Sequence, residues 1–383
     1  MISYDVAILG AGSMGMSAGY YLSRQGVQTL LIDAFNPPHT GGSHHGETRL
    51  MRHAYAGNPL YTKLAIRADQ LWRQLEETGG QKLLHRTGVL NMGDQGALSL
   101  QQKREQAQTH GLRVELLNAE EIRHRWKGIQ IPDSVQGIYE PNAGYLLSEA
   151  CIQSFRTQAV AHGALVVPNT PVKDIQIESD CVKVFTDSGD FCAGKLIVSL
   201  GAWFGSVAGF QQLPIRSVRK AVAWFEADEQ LYSAERFPGF TFGDAQGGYY
   251  GFPSINGSGV KIGRHDAGQT WIPSSPFYPF GHYPEDEADL RRALSTYLPL
   301  AAGRIVRSGV CKYEMTPDEN FIIDQHPKHR HIFLAGGFSG HGFKFSSVVG
   351  EILADWVTKG KAKCDLSPFA LKRFTTGATE VPH

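Results

Sequence analysis

Residues 5–33 leave this chain little freedom of fold. Asp5 to Leu9 is a short apolar run that ends in Gly10-Ala11-Gly12-Ser13-Met14-Gly15. A helical pattern follows from Ser13 to about Gln25, Gly26 stops it, and Val27 to Ile32 reads as a second buried strand with Asp33 at its end. Strand, glycine turn, helix and strand form a βαβ unit. In a dinucleotide-binding turn Gly10 makes the bend, Gly12 lets the backbone approach a pyrophosphate, and Gly15 lets the helix pack closely on the strand. Asp33, 23 residues after Gly10, is spaced to meet ribose hydroxyls. An acid there favours an unphosphorylated ribose, so the expected ligand is FAD or NAD rather than NADP.

The 383 residues exceed what one hydrophobic core usually organises, and two domains or a large insertion are expected. Thirty-seven basic and 37 acidic residues cancel, which leaves no electrostatic footprint for nucleic acid or an anionic membrane. Five cysteines without short repeated spacing argue against a disulfide framework and a structural zinc site, and fit a reducing compartment. No stretch approaches the roughly 18 apolar residues of a membrane helix, and Val6-Ala7-Ile8-Leu9 runs into glycine without a leader's basic segment. A soluble, cytoplasmic protein is expected. Residues 34–52 form a loop rich in Pro and Gly that carries His39, His44, His45, Arg49 and Arg52. Its histidine spacing does not suit a metal, whereas an arginine fork suits an anionic cofactor and a substrate carboxylate.

Further along, 60–78 reads as an amphipathic helix, and from about Leu84 the pattern breaks into an inserted unit with a charged helix over 97–110. A helix from about Tyr145 (Cys151, Phe155, Ala159) leads to strands at Ala164 to Val167, over 172–186, and at Lys195 to Leu200. The last is expected to return to a parallel sheet beside the first strand. From Pro214 to about Cys311, alternating segments between Gly- and Pro-rich turns predict antiparallel sheet. A strand at Ile332 to Ala335, the turn Gly336 to Lys344 and a helix from Ser346 to Val357 would aim a second helix N-terminus at a ligand. The expected class is α/β plus α+β. A Rossmann-like FAD-binding domain (1–83, 146–214 and 317–383) is interleaved with an antiparallel-sheet substrate domain (84–145 and 215–316).

Four separated motifs carry a resemblance: the fingerprint with Asp33; Pro37-Pro38-His39 with Gly42-Ser43-His44-His45-Gly46 through Arg49 and Arg52; Cys311-Lys312-Tyr313 with Asp318 and Phe321-Ile322-Ile323-Asp324; and Gly337-Phe338-Ser339-Gly340-His341-Gly342-Phe343-Lys344. Together, through nearly the whole chain, they resemble the monomeric sarcosine oxidase family, which also contains N-methyltryptophan and pipecolate oxidases, flavoenzymes that oxidise secondary amines of amino acids. The resemblance implies FAD attached covalently through Cys311 in a monomer, and the histidine and cysteine spacing leaves no metal expected. It implies oxidation of an N-methyl amino acid by molecular oxygen to the demethylated amino acid, formaldehyde and hydrogen peroxide.

Carried onto this chain, Arg52 and Lys344 clamp the substrate carboxylate, and Arg49 and Lys261 lie over the flavin, Lys261 in the oxygen-activating position. His45, Tyr250, His265 and Tyr313 line the amine pocket. Ser43, His44, Gly340 and Gly342, with Arg49 and Lys344, contact the cofactor; which of His44 and His45 faces the flavin is left open. Thr241, in Phe237-Pro238-Gly239-Phe240-Thr241, stands where sarcosine enzymes carry methionine and resembles the N-methyltryptophan type. Ser13-Met14-Gly15-Met16, Tyr283-Pro284-Glu285-Asp286 and Phe345-Ser346-Ser347 look closer to the sarcosine type. An NAD-dependent dehydrogenase, a non-catalytic nucleotide sensor and a primary-amine or D-amino-acid oxidase are the alternatives.

Overall fold

In the computed structural model, which describes residues 2–94, 98–244 and 247–374, the first strand, Ile2–Leu9, lies inside an eight-stranded sheet. Gly189–Val198 and Thr29–Ile32 flank it in parallel, with Val6 opposite both Lys195 and Thr29. Leu165–Val167 and Ile332–Gly336 extend the parallel set. Val6 and Ile8 face the core formed with helices Ser13–Arg24, Ser148–Ala161 and Ser346–Lys359, while Ala7 and Leu9 alternate to the other face with Phe204 and Phe210. Burial on both faces explains an apolar run without polar alternation. At the end of this strand Gly10 adopts φ +85°, and a Cβ there would lie 2.4 Å from the Ser199 carbonyl oxygen. A Cβ at Gly15 would lie 1.9 Å from the Gly10 carbonyl oxygen, so only glycine lets the helix start so close to the strand.

A nine-stranded sheet runs in the order Gln269–Trp271, Arg216–Phe225, Val260–Arg264, Gly247–Phe252, Gly239–Asp244, Val89–Asp94, Val135–Glu140, Glu115–Asn118. Ile305–Met315 also pairs with Arg216–Phe225. The pairing is antiparallel except where Gly239 to Thr241 run parallel to Val89 to Asn91. A three-stranded sheet of Thr48–Met51, Gly144–Leu147 and Leu84–His85 carries Arg49. Among the described residues, no helix is long and apolar enough to cross a membrane.

Three expectations are corrected. The helix expected from about Tyr145 begins at Ser148, because Tyr145 is held in a ladder opposite Leu50 and His85. The antiparallel tract is interrupted by a helix, Glu285–Tyr297, whose acidic first turn follows Pro284. Its Asp286 takes a bidentate pair from Arg219 (2.7 and 2.8 Å), both side chains 2% exposed. The strand after it, Ile305–Met315, carries the tract past its expected end near Cys311. Finally, the C-terminal helix does not present its own N-terminus to the cavity described below. A 3-10 turn, Phe343–Phe345, intervenes and presents Lys344, while Ser346 and Ser347 are wholly buried.

Candidate active site

Two cavities follow from this arrangement. A smaller one, about 430 Å³, is lined by Gly10, Gly12, Asp33, Ser43 and His44. Asp33 accepts hydrogen bonds from the backbone N–H of Ala11 (2.8 Å) and Phe35 (2.9 Å), which hold the carboxylate beside the glycine turn with acceptor capacity to spare. The helix starting at Ser13 has no side-chain cap, so its first-turn N–H groups are open to an anion. His44 is held neutral well below its ordinary range by burial and then by His39, His45 and Arg49. Its Nε2 accepts the His39 N–H (3.1 Å), so the proton sits on Nδ1. That nitrogen lies 3.4 Å from where a Cβ of residue 12 would stand, a donor turned to the glycine turn.

The larger cavity, about 1040 Å³, collects His45, Arg49, Arg52, Thr241, Tyr250, Lys261, His265, Cys311, Tyr313, Gly340 and Lys344 from segments far apart in sequence. Gly15 and Gly342 line neither cavity; a Cβ at Gly342 would meet Phe338 Cβ at 2.4 Å, which makes it a packing position. The adjacent histidines separate: His44 lines the smaller cavity and His45 the larger.

Lys261 is 2% exposed. Its ammonium donates to the Gly46 carbonyl, to Thr48 Oγ1 (3.1 Å) and to the Thr48 carbonyl (3.3 Å), and lies over the rings of Trp224 and Phe252. Burial, then Arg49, lowers its pKa well below the usual lysine value. Arg49 is fixed by three carbonyls, Thr48 (2.7 Å), Ser43 (2.7 Å) and His45 (2.6 Å), with no ion pair among the described residues. Lys344 donates to Tyr55 OH (2.7 Å) and the His341 carbonyl (2.8 Å), and Arg52 lies over the Tyr55 ring at 4.7 Å. Neither makes an ion pair among the described residues.

The histidines, phenols and thiol around these cations are kept uncharged. Burial, then Arg49, pushes His45 down to about 4, and burial, then Lys220, Arg52 and Lys344, pushes His265 down to about 4. Burial raises the Tyr250 phenol to about 12 and the Tyr313 phenol well above its ordinary value; the two hydrogen-bond each other. Cys311 is 5% exposed, and although Arg49, Lys261, Lys220 and Lys312 all favour its thiolate, burial outweighs them and raises the thiol. Thr241 Oγ1 donates to Asn91 Oδ1 (3.0 Å).

Against known proteins, the FAD dependent oxidoreductase (DAO) family matches residues 5–356. The chain belongs to that family. It is 48% identical over 374 residues to "Monomeric sarcosine oxidase" of Bacillus sp. (strain NS-129), covering 97% of each chain. It is 38% identical over 374 residues to "N-methyl-L-tryptophan oxidase" of Yersinia pestis (strain Pestoides F), covering 97% of this chain and 100% of that one. Among solved structures, L-proline dehydrogenase from P. horikoshii shares the fold, with TM-score 0.83, 21% identity and 98% of each chain covered.

The residues present fit FAD. A Cβ at Gly12 would meet nothing closer than His44 Nδ1, so the glycine is not demanded by protein packing and leaves the backbone open to the smaller cavity. Ser43 Oγ and His45 Nε2 are buried without a hydrogen-bond partner among the described residues, atoms that a bound polar group would satisfy. Gly10, Gly12, Asp33, Ser43 and His44 would hold the nucleotide end, and Arg49, Lys261, Cys311 and Gly340 the end in the larger cavity.

Other contributors carry no sequence signal. Glu149, in the first turn of Ser148–Ala161, accepts from the N–H of Gly46 (2.7 Å) and Glu47 (3.1 Å) and so fixes the carbonyl on which Lys261 docks. Burial would raise its pKa, but the Ser148 hydroxyl and these N–H groups outweigh it. His341 also lines the larger cavity, neutral through burial and Lys344. Behind Arg52, His53 pairs with Asp69 (2.6 Å) and lies 3.4 Å from Glu140, whose Oε2 accepts the His53 N–H (2.8 Å). Burial alone would lower the His53 pKa, yet the bonds to Asp69 and Glu140 raise it to about 9. A folded pKa above the unfolded value of about 6.5 means that this contribution to stability is full below that pH and is lost as pH rises through 9. The melting temperature is therefore expected to fall between pH 6.5 and 9, and His53→Asn should be less stable at pH 6 yet lose less over that window. A parallel decline in both proteins would contradict the pairing.

Proposed function

We propose that the chain oxidises N-methyl amino acids, with sarcosine a substrate, to the demethylated amino acid, formaldehyde and hydrogen peroxide, as a monomer carrying FAD bound through Cys311. One observation carries the reading: Arg52 and Lys344, cations without a carboxylate partner among the described residues, share one cavity with Lys261 and Cys311. Nearly half of all positions match the sarcosine oxidase relative over almost the full length of both chains, which supports the same substrate class. The same reading takes 1–83, 146–214 and 317–383 as the FAD-binding domain and 84–145 and 215–316 as the substrate domain.

When bound, FAD supplies the redox chemistry, accepting a hydride equivalent from the N-methyl carbon and returning two electrons to oxygen. The protein's part is orientation and charge. Arg52 forks onto the substrate carboxylate and Lys344 adds a second positive charge, which fixes the amine end relative to Lys261 and Cys311. Bound among cations, a substrate ammonium is destabilised and the reactive neutral amine favoured. His45 stays neutral at pH 7, so it adds no further positive charge beside the amine, and its Nε2, unpartnered among the described residues, is free to hydrogen-bond the substrate. Tyr250 and Tyr313 remain phenols and supply O–H donors. Lys261 holds a positive charge where oxygen becomes negative as it is reduced.

A peroxide assay over sarcosine, N-methyl-L-tryptophan, L-pipecolate, L-proline and glycine tests the substrate class: sarcosine should turn over, and turnover of glycine alone would contradict the reading. N-methyl-L-tryptophan is the second reading, favoured by the short Thr241 side chain at the cavity wall. For the covalent link, acid-precipitated protein should stay yellow and Cys311→Ser should release its flavin to the supernatant. A colourless wild-type pellet would exclude attachment.

A further inference from the structure

The helix Leu98–Thr109 is polar along most of its length, and its buried side chains are Leu100 (7% exposed) and Ala107 (0%). Lys103 stands between them at helical spacing, so a lysine occupies the inward stripe of an otherwise solvated helix. It lines the larger cavity together with Ser99, Met92 and Thr241, and lies close enough to Arg52 and Glu140 for both to bear on its charge.

Lys103 makes no hydrogen bond or ion pair among the described residues. Glu140 is committed to His53 and to the His53 and Ala54 N–H groups, and Asp94, which also lines this wall, makes no ion pair with Lys103 among the described residues. Behind this wall Asn91 is wholly buried, and its Oδ1 accepts the Thr241 hydroxyl (3.0 Å), which fixes the Thr241 side chain at the cavity.

Arg52 and Lys344 already suffice for the single carboxylate of a simple N-methyl amino acid. With Arg49 and Lys261 assigned to the cofactor and oxygen, Lys103 is a further cation without an ion pair among the described residues in this cavity, and such a substrate gives it no partner. Lys103 is half-buried at the cavity wall, and an ammonium drawn part-way out of water gains from an anion placed beside it. Burial and Arg52 push Lys103 down to about 7, with Glu140 opposing, and an anion beside it would restore its full charge.

We propose that Lys103 binds a second, side-chain carboxylate, so that this chain accepts N-methyl amino acids with acidic side chains and selects them over their neutral isosteres. The proposal rests on the secondary-amine reading above and adds a residue and a substrate class to it. Thr241, shorter than a methionine, leaves room along the wall, and Lys103 meets the side chain's far end while Arg52 and Lys344 keep the α-carboxylate.

The test compares kcat/KM from peroxide formation for N-methyl-L-glutamate against N-methyl-L-glutamine, and for N-methyl-L-aspartate against N-methyl-L-asparagine, with sarcosine run alongside. In the wild-type holoenzyme the acid should exceed its amide by about tenfold or more in at least one pair. Lys103→Met should bring that ratio to within about threefold of unity through a rise in KM for the acid, and Lys103→Arg should keep the preference. Acid-to-amide ratios at or below one in both pairs, or a ratio that survives in Lys103→Met, would overturn the proposal while sarcosine still yields peroxide. If neither sarcosine nor any of the four yields peroxide, the secondary-amine reading fails with it.

Discussion

Lys261→Met is expected to slow the reaction of reduced enzyme with oxygen by about 10²–10³-fold, the usual loss when one preorganised charge-stabilising group is removed. Anaerobic reduction by sarcosine should fall far less. The asymmetry follows from where the ammonium is held. Gly46 and Thr48 oxygens fix it, Trp224 and Phe252 cover it, and almost no solvent reaches it. In a dry site a fixed charge acts more strongly than in water and needs no reorganisation as negative charge develops on oxygen. Burial and Arg49 lower the lysine's pKa, while negative charge developing on oxygen favours the ammonium. Stopped-flow measurement of the two half-reactions separates the effects. Equal slowing of both would place Lys261 in general positioning instead.

Arg52→Gln is expected to lower kcat/KM for sarcosine by about 10²-fold or more, the range for truncating one partner of a desolvated, hydrogen-bonded charge pair. Lys344→Met should act in the same direction. The double variant should lose less than the product of the two, because both cations serve one carboxylate. A control comes from an amine without a carboxylate, N-methylethylamine, which wild type and Arg52→Gln should oxidise at similarly low rates. If Arg52→Gln reduced that rate as strongly as the sarcosine rate, the guanidinium would be supporting the site rather than holding the carboxylate.

Much of the site was legible because its motifs are local. Gly10, Gly12, Gly15 and Asp33 sit within one βαβ unit, where spacing alone fixes their relation. The packing adds the reason for Gly15, a close approach to the Gly10 carbonyl, which spacing could suggest but not measure. The start of the helix at Ser148 was not legible: the periodicity of Cys151, Phe155 and Ala159 is truly helical, but the pairing of Tyr145 with Leu50 and His85 is a tertiary event. Glu149 escaped notice for the same reason. An acid in a helix's first turn looks like an ordinary dipole partner, and only the fold brings it to the N–H of Gly46, 103 residues away.

His44 and His45 differ by one position, and no spacing rule tells which cavity each serves; the loop turns them into different ones. Lys103 was hidden by composition. A helix rich in Gln, Lys and Arg reads as solvated, and its inward stripe shows only once Leu100 and Ala107 are seen buried. Cys311 shows the opposite limit. Four cations around it suggest an acidic thiol, yet burial wins, so its chemistry depends on what is bound beside it rather than on the free side chain.

The most direct test of secondary-amine oxidation is a product balance with sarcosine and oxygen and no added nicotinamide nucleotide. Glycine, formaldehyde and hydrogen peroxide in equal amounts, matched to the sarcosine consumed, are the expected result. Sarcosine left unconsumed under these conditions, or consumed without formaldehyde, would contradict it.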